Sequence, residues 1–147
     1  KEMKTDELNT RLIAALDSGN PELVEDVLSD VWEIDNPNAL MPTLCKLLEA
    51  NWHFQHENIV RWMQEIADPK SIPTLLKTAY QSFEYLNYDE AFGLARKCTW
   101  ALADIGSPEA KDALILLGSH KEPLIAGYAQ RRLDRWESEL NRKKHPA

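Results

Sequence analysis

The sequence has no Ser/His/Asp set in catalytic arrangement, no glycine-rich phosphate loop and no Cys-x-x-Cys pair. Cysteine is scarce. Cys45 and Cys98 each sit inside an apolar helical stretch and share no motif spacing. They read as buried small hydrophobes in a reducing compartment, so the expected location is the cytoplasm. No apolar run approaches the roughly 20 residues of a membrane-crossing helix, and no charged-apolar-small leader opens the sequence. Histidine is sparse too. His53 and His56 are three apart and share a helix face, but a closed metal site needs four ligands and no third or fourth lies nearby. They read as polar residues at a helix start, and His120 and His145 are isolated. No metal, no cofactor and no enzymatic activity are expected; function has to be argued from surface and charge.

Charge is present but unevenly spread. The net charge is −7. Residues 1–35 carry −7, residues 36–120 carry −3, and residues 121–147 carry +3. An acidic body repels phosphates, so nucleic acid is not an expected partner, nor is a membrane. It favours a basic protein, with encounter steered by fields that screening limits to about 10 Å at moderate salt.

What the sequence does contain is a phrase that recurs after 39 residues. Ile66-Ala67-Asp68-Pro69 leads into an apolar stretch, and so does Ile105-Gly106-Ser107-Pro108; a looser copy is Ile34-Asp35-Asn36-Pro37. Each phrase ends one helix and caps the next, with proline where its missing N–H costs nothing. Apolar residues at three-and-four spacing predict about eight helices and no strands: 6–17, 21–32, 38–50, 53–66, 71–85, one ending at 105, 108–117 and 123–141. Loops of two to six residues between helices force antiparallel neighbours. A spacing of roughly 30–47 residues between helical pairs is the mark of an α-solenoid. The expected fold is all-α, a single right-handed, monomeric α-solenoid over 1–147. Its repeat-like units are about 21–50, 54–86 and 89–119, with terminal helices 5–18 and 123–141.

Residues 95–110, Ala95-Arg96-Lys97-Cys98-Thr99-Trp100-Ala101-Leu102-Ala103-Asp104-Ile105-Gly106-Ser107-Pro108-Glu109-Ala110, resemble a HEAT repeat of the phycobilin-lyase type. Ala95-Arg96 takes the place of the family's Val-Arg, Ala101-Leu102 its hydrophobic positions, Ile105-Gly106 its turn and Pro108-x-Ala110 its second helix start. Residues 58–79 resemble the pattern moderately and 21–48 weakly, while 123–136 resemble a last outer helix. Glu57 departs from it, standing where the family usually places arginine. The resemblance implies protein-gripping surfaces on inner helices rather than a shared reaction; the family also includes bilin lyases and basic DNA glycosylases.

The most unusual segment is 80–92, with five aromatics, Tyr80, Phe83, Tyr85, Tyr88 and Phe92, among three acids. It reads as an extension of the inner helix past the length of its counterpart. Phe83 is expected in the core. Tyr85 and Tyr88 are candidate binding anchors, because tyrosine buries large area at small entropic cost. Glu84, Asp89 and Glu90 would steer a basic partner, and Lys70, Thr74, Lys77 and Gln81 are expected to border the same surface from the face opposite the buried stripe. The acids Glu22, Glu25, Asp26, Asp30, Glu33 and Asp35 read as a solvated face. Arg131, Arg132, Arg135, Arg142, Lys143 and Lys144 read as i,i+4 partners at a helix C-terminus. Trp32, Trp100 and Trp136 are expected inside, and Trp52 is expected partly exposed. The resulting expectation is a non-enzymatic module that binds a basic protein, for instance an immunity protein that neutralises a bacterial toxin. The alternatives are a scaffold in a larger complex and a bilin-lyase-like protein.

Overall fold

The computed structural model describes residues 2–29 and 33–144. Among these, nine α-helices follow in order: α1 (Thr5–Ser18), α2 (Pro21–Ser29), α3 (Met41–Glu49), α4 (His56–Ile66), α5 (Ile72–Ala79), α6 (Gly93–Ile105), α7 (Pro108–Leu117), α8 (Pro123–Asp134) and α9 (Trp136–Lys144). Helices α1, α3, α5 and α7 pack side by side as one layer, and α4, α6 and α8 as the other. Across the layers α3 packs on α4, α5 on α6, and α7 on α8. The all-α repeat architecture read from the sequence is the one observed. One departure is a two-residue parallel pairing of Glu2–Met3 with Glu33–Ile34 where no strand was expected.

The recurring phrase acts as its chemistry requires. The Asp68 carboxylate accepts from the Lys70 N–H at 2.9 Å, and the Ser107 hydroxyl accepts from the Ala110 N–H at 3.2 Å, each just before or at a proline-led helical turn. The helix before each phrase closes on a left-handed residue: Gly106 at φ 69° and Ala67 at φ 55°. Glycine takes that conformation freely; alanine takes it under strain. Gly19 ends α1 in the same way, and the Asn20 side chain accepts from the Glu22 N–H at 3.0 Å.

Burial follows the apolar stripes. Leu8 and Leu12 on α1, Leu44 and Leu47 on α3, Ile59 and Met63 on α4, Cys98 and Leu102 on α6, and Leu114 on α7 are sealed from solvent. Each contributes about 1.5–3 kcal/mol by leaving water. Cys98 is fully enclosed and its thiol is pushed up to about 12 by burial, while Cys45 is half-buried; neither is in a disulfide. Trp136 is buried, and Trp52, Trp62 and Trp100 are half-buried. Trp32 and Asp30 lie outside the described residues, as does His145.

Three expectations are corrected. The helix expected over 71–85 ends at Ala79, so the inner helix is not extended; the chain turns outward and returns through a short 3-10 turn at Glu84–Leu86. Leaving the helix lets Phe83 and Tyr85 reach back to His56 at the start of α4. The single helix expected over 123–141 breaks at Arg135, which allows Trp136 and Glu139 to fold inward. Asp35 is not simply a solvated acid. Its carboxylate accepts from the N–H and hydroxyl of Thr5, capping α1 from 30 residues away, and those bonds hold its carboxyl below the usual range.

Candidate interaction edge

Antiparallel packing places the loops after α3, α5 and α7 at one edge of the two layers. Cross-loop contacts confirm this: Phe54 meets Tyr85 edge-on at 5.2 Å, and Tyr80 stacks on His120 at 4.7 Å. The middle loop, 80–92, is the segment that the sequence singles out.

This loop is held from below by a buried pair of imidazoles. His53 and His56 are both sealed from solvent and stack at 4.2 Å. His53 Nδ1 accepts from the Gln55 N–H at 3.0 Å, so its Nε2–H donates to the Leu47 carbonyl at 2.6 Å. His56 Nε2–H donates to the Ala50 carbonyl at 2.6 Å, so its Nδ1 accepts, here from the Tyr85 hydroxyl at 2.8 Å. The same hydroxyl accepts from the His56 backbone N–H at 3.2 Å. Every ring nitrogen is spent, and both rings are neutral. Burial drives the His56 pKa down to about 4 and lowers that of His53. Burial likewise pushes Tyr85 up to about 12. Phe83 stacks on the other face of His56 at 3.8 Å. The histidines expected as polar residues at a helix start are structural core.

The far end of the loop is clamped by Asp89. Its carboxylate accepts from the Ala91 N–H at 2.9 Å and from the Gly93 N–H at 2.8 Å, capping α6. A Cβ at Gly93 would stand 2.6 Å from Asp89 Oδ2, so only glycine permits this cap. Tyr128 on α8 donates its hydroxyl to the Ala91 carbonyl at 2.6 Å, and Phe92 is left in the left-handed region at φ 55°. Between loop and helices lies a cleft of 230 Å³, floored by Phe83, Leu86, Leu94 and Ile125, with Gln81 and Glu90 among its lining.

The predicted site residues divide accordingly. Tyr88 is 81% exposed, and Glu84 and Glu90 stand beside it in sequence, exposed and with no ion-pair partner among the described residues. Gln81 is exposed on the cleft. Tyr85 is half-buried with its hydroxyl engaged, and the Asp89 carboxylate is occupied by its cap. Thr74 is 8% exposed, so it does not lie opposite the buried stripe as expected; it faces the core. Lys70 is exposed but sits at the other end of α5, about 12 Å of helix away from the loop. Lys77 is exposed and reaches Glu49 at 3.9 Å. The sequence reading missed Tyr80, Phe92 and Phe54 as exposed aromatics of this edge. Their position in turns carried the only available signal.

A larger groove of 560 Å³ runs between the end of α2 and α4. Its titratable side chains, Arg61 and Glu65, pair with each other at 3.7 Å in solvent. Among the described residues no three metal-ligating side chains come together, and no helix is long and apolar enough to cross a membrane.

Residues 94–117 match the family model of the PBS lyase HEAT-like repeat. The match covers α6, the Gly106 turn and α7, the stretch whose motif carries the resemblance in the sequence. Nothing among curated proteins or solved structures matches the chain. Within this repeat frame Glu57, standing where arginine is usual, pairs with Lys97 at 3.0 Å and ties α4 to α6. This ion pair joins the α4–α5 pair of helices to the matched α6–α7 unit.

Proposed function

We propose that the chain is a non-catalytic protein-binding module whose 80–92 loop grips a basic partner, in the manner of an immunity protein that occludes a toxin. The observation that carries this reading is Tyr88: a large side chain, 81% exposed, flanked by two unpaired carboxylates on a loop fixed at both ends. Fixed loops lose little entropy on binding, so an aromatic anchor there delivers most of its contact energy. The HEAT-like repeat supports an interaction module; the step to toxin neutralisation rests on analogy of fold and charge. A bilin-lyase-like reading would have to use the 560 Å³ groove beside α2 and α4, which falls within the about 300–1,000 Å³ of typical small-molecule pockets, rather than the 230 Å³ cleft at this edge.

The test is affinity capture from the source cell's lysate with the wild-type chain and with Tyr88→Ala/Glu84→Lys/Glu90→Lys. A specific basic protein should be retained by the wild type, weakened by about 0.5 M salt, and lost by the variant. The variant's thermal melt should match the wild type, because none of the three side chains is buried. Equal capture by both proteins would remove the edge as the binding surface. A scaffold role predicts several co-purifying proteins rather than one.

A further inference from the structure

Positive charge gathers on the opposite trend to the rest of this acidic chain, in the groove between α6 and α8. Arg132 is 3% exposed; its guanidinium lies 3.6 Å from the centroid of the Trp100 ring, and Nη1 donates to Glu139 Oε1 at 3.2 Å. These contacts fix the plane of the group. Arg96 from α6 and Arg131 from α8 line a small concavity with it, together with Thr99, Trp100 and Tyr128. Arg135 follows at the α8–α9 bend. Burial and the charges of Arg135, Arg131 and Arg96 all bear on Arg132 and lower its pKa, opposed by Glu139.

Beyond Glu139 on Arg132, no carboxylate among the described residues answers these charges. Arg96, Arg131 and Arg135 have none within 4 Å. Glu139 is taken by Arg132, Asp134 accepts from Gln130 Nε2 at 2.9 Å, and Glu137 is exposed on α9 without a partner. The hydroxyls of Thr99 and Tyr128 donate to the Arg96 and Ala91 carbonyls, at 2.7 and 2.6 Å. A merely solvated basic face would spread its arginines along the helix. Here three of them share one concavity, and among the described residues no acid stands within 4 Å of Arg96 or Arg131.

We propose that this concavity is an oxyanion site for a phosphate group, free or carried as a monoester. A carboxylate is satisfied in one plane by a single guanidinium. Several guanidiniums on different helices suit a dianion whose oxygens point in several directions. The concavity, 20 Å³, holds about one water-sized group, so it seats one or two phosphate oxygens while the rest of the ligand stays outside. It reads the phosphate group and not the molecule that carries it, which leaves two sources: free phosphate or a phosphorylated side chain of a protein. The site lies on helical faces apart from Tyr88, Glu84 and Glu90, so it stands or falls independently of the partner surface.

The experiment follows the arginine Nε–H signals of the full chain by NMR. Inorganic phosphate, acetate and chloride are titrated at matched ionic strength, in the wild type and in Arg96→Gln/Arg131→Gln. Both substituted residues are exposed, and buried Arg132 is left in place. Phosphate should give saturable shifts at Arg96, Arg131 and Arg132 and bind roughly tenfold or more tightly than acetate; the double variant should lose about tenfold. Affinity for a phosphoserine peptide should rise between about pH 5 and 7.5, as the monoester with a second pKa near 6 becomes a dianion. If the double variant's melt falls, the single variants carry the comparison. A phosphoserine peptide that binds more tightly than inorganic phosphate, and more tightly than its glutamate counterpart, identifies a modified protein as the source. Equal affinity of the phosphopeptide and inorganic phosphate identifies free phosphate. Shifts no larger than those from acetate, an unchanged affinity in the variants, or stronger binding of a single-stranded oligonucleotide would each overturn the proposal.

Discussion

Acidification should unfold this protein through His56, and the structure gives both sign and size. His56 is neutral in the fold with a pKa of about 4, against 6.5 for the free side chain. The unfolded chain therefore binds the proton first, and stability present above pH 6.5 is lost as pH falls toward 4. The linked loss is about 1 kcal/mol at pH 5.5 and about 3 kcal/mol by pH 4, and His53, lowered for the same reason, adds in the same direction. Urea midpoints across this range read the loss, and the carbon-bound ring protons of His56 read the pKa directly. Tyr85→Phe sharpens the test. It strips the Nδ1 acceptor and the backbone N–H of His56 of their shared partner, which costs about 1–3 kcal/mol at neutral pH, less where water reaches the half-buried site. With no donor holding Nδ1 neutral, the His56 pKa should rise and the acid-induced loss become shallower. A wild-type His56 that titrates near 6.5, or a Tyr85→Phe protein as stable as wild type, would refute the network as drawn.

Other perturbations test single features. Ala67→Gly relieves a left-handed alanine at the end of α4 and should stabilise by about 1 kcal/mol in a urea melt; a loss would mean that the alanine methyl is packed. Gly106→Ala does the reverse at φ 69°, and its Cβ would stand 2.9 Å from Leu140 Cδ2; a cost of about 1–2 kcal/mol is expected, seen as a lowered melting temperature. Glu139→Ala leaves the Arg132 guanidinium buried without its carboxylate and should cost about 3 kcal/mol, whereas an exposed pair such as Arg61–Glu65 should be nearly silent to the same change. Charge reversal at Glu90 should leave the melt unchanged, while Asp89→Lys should lower it by uncapping α6.

The repeat frame was legible because its signals are local: a cap, a proline and an apolar stripe lie within a few residues of one another. The two misjudged helix ends were not, because no glycine or proline stands at 80–82 or at 134–136. Those helices stop where side chains gain more by turning inward, Phe83 and Tyr85 toward His56, Trp136 toward Lys111 of α7, and Glu139 toward Arg132. The partners of Phe83, Tyr85 and Trp136 lie 27, 29 and 25 positions away and leave no trace in local propensity. The same holds for Asp35 capping Thr5, and for the buried histidines. Arg132 is a different case. Ile125, Ala129 and Trp136 mark the apolar face of α8 and its continuation, and position 132 lies on it at three-and-four spacing; the charge of the residue concealed the signal. At the candidate edge, composition singled out the 80–92 loop, and exposure separates Tyr88 from Tyr85. Which hydroxyl finds a buried partner is decided by tertiary packing alone.

The loop's rigidity is what ties these observations to function. Phe92 holds a left-handed backbone that a bulky side chain adopts at a cost of about 1–3 kcal/mol. Such strain persists only where neighbours over-determine the conformation, and here they do. Asp89 accepts from the two N–H groups on either side of Phe92, those of Ala91 and Gly93, Tyr128 holds the Ala91 carbonyl, and the Phe92 carbonyl accepts the first helical bond of α6 from Arg96 at 3.0 Å. At the loop's other end the buried imidazoles fix Tyr85. The segment between, with Tyr88 outward, is suspended from two fixed points six backbone positions or fewer from its tip. On the proposed reading, a partner that meets Tyr88 finds both ends of its loop already fixed, by the Tyr85–His56 bond on one side and the Asp89 cap on the other, and this lowers the entropy lost on binding.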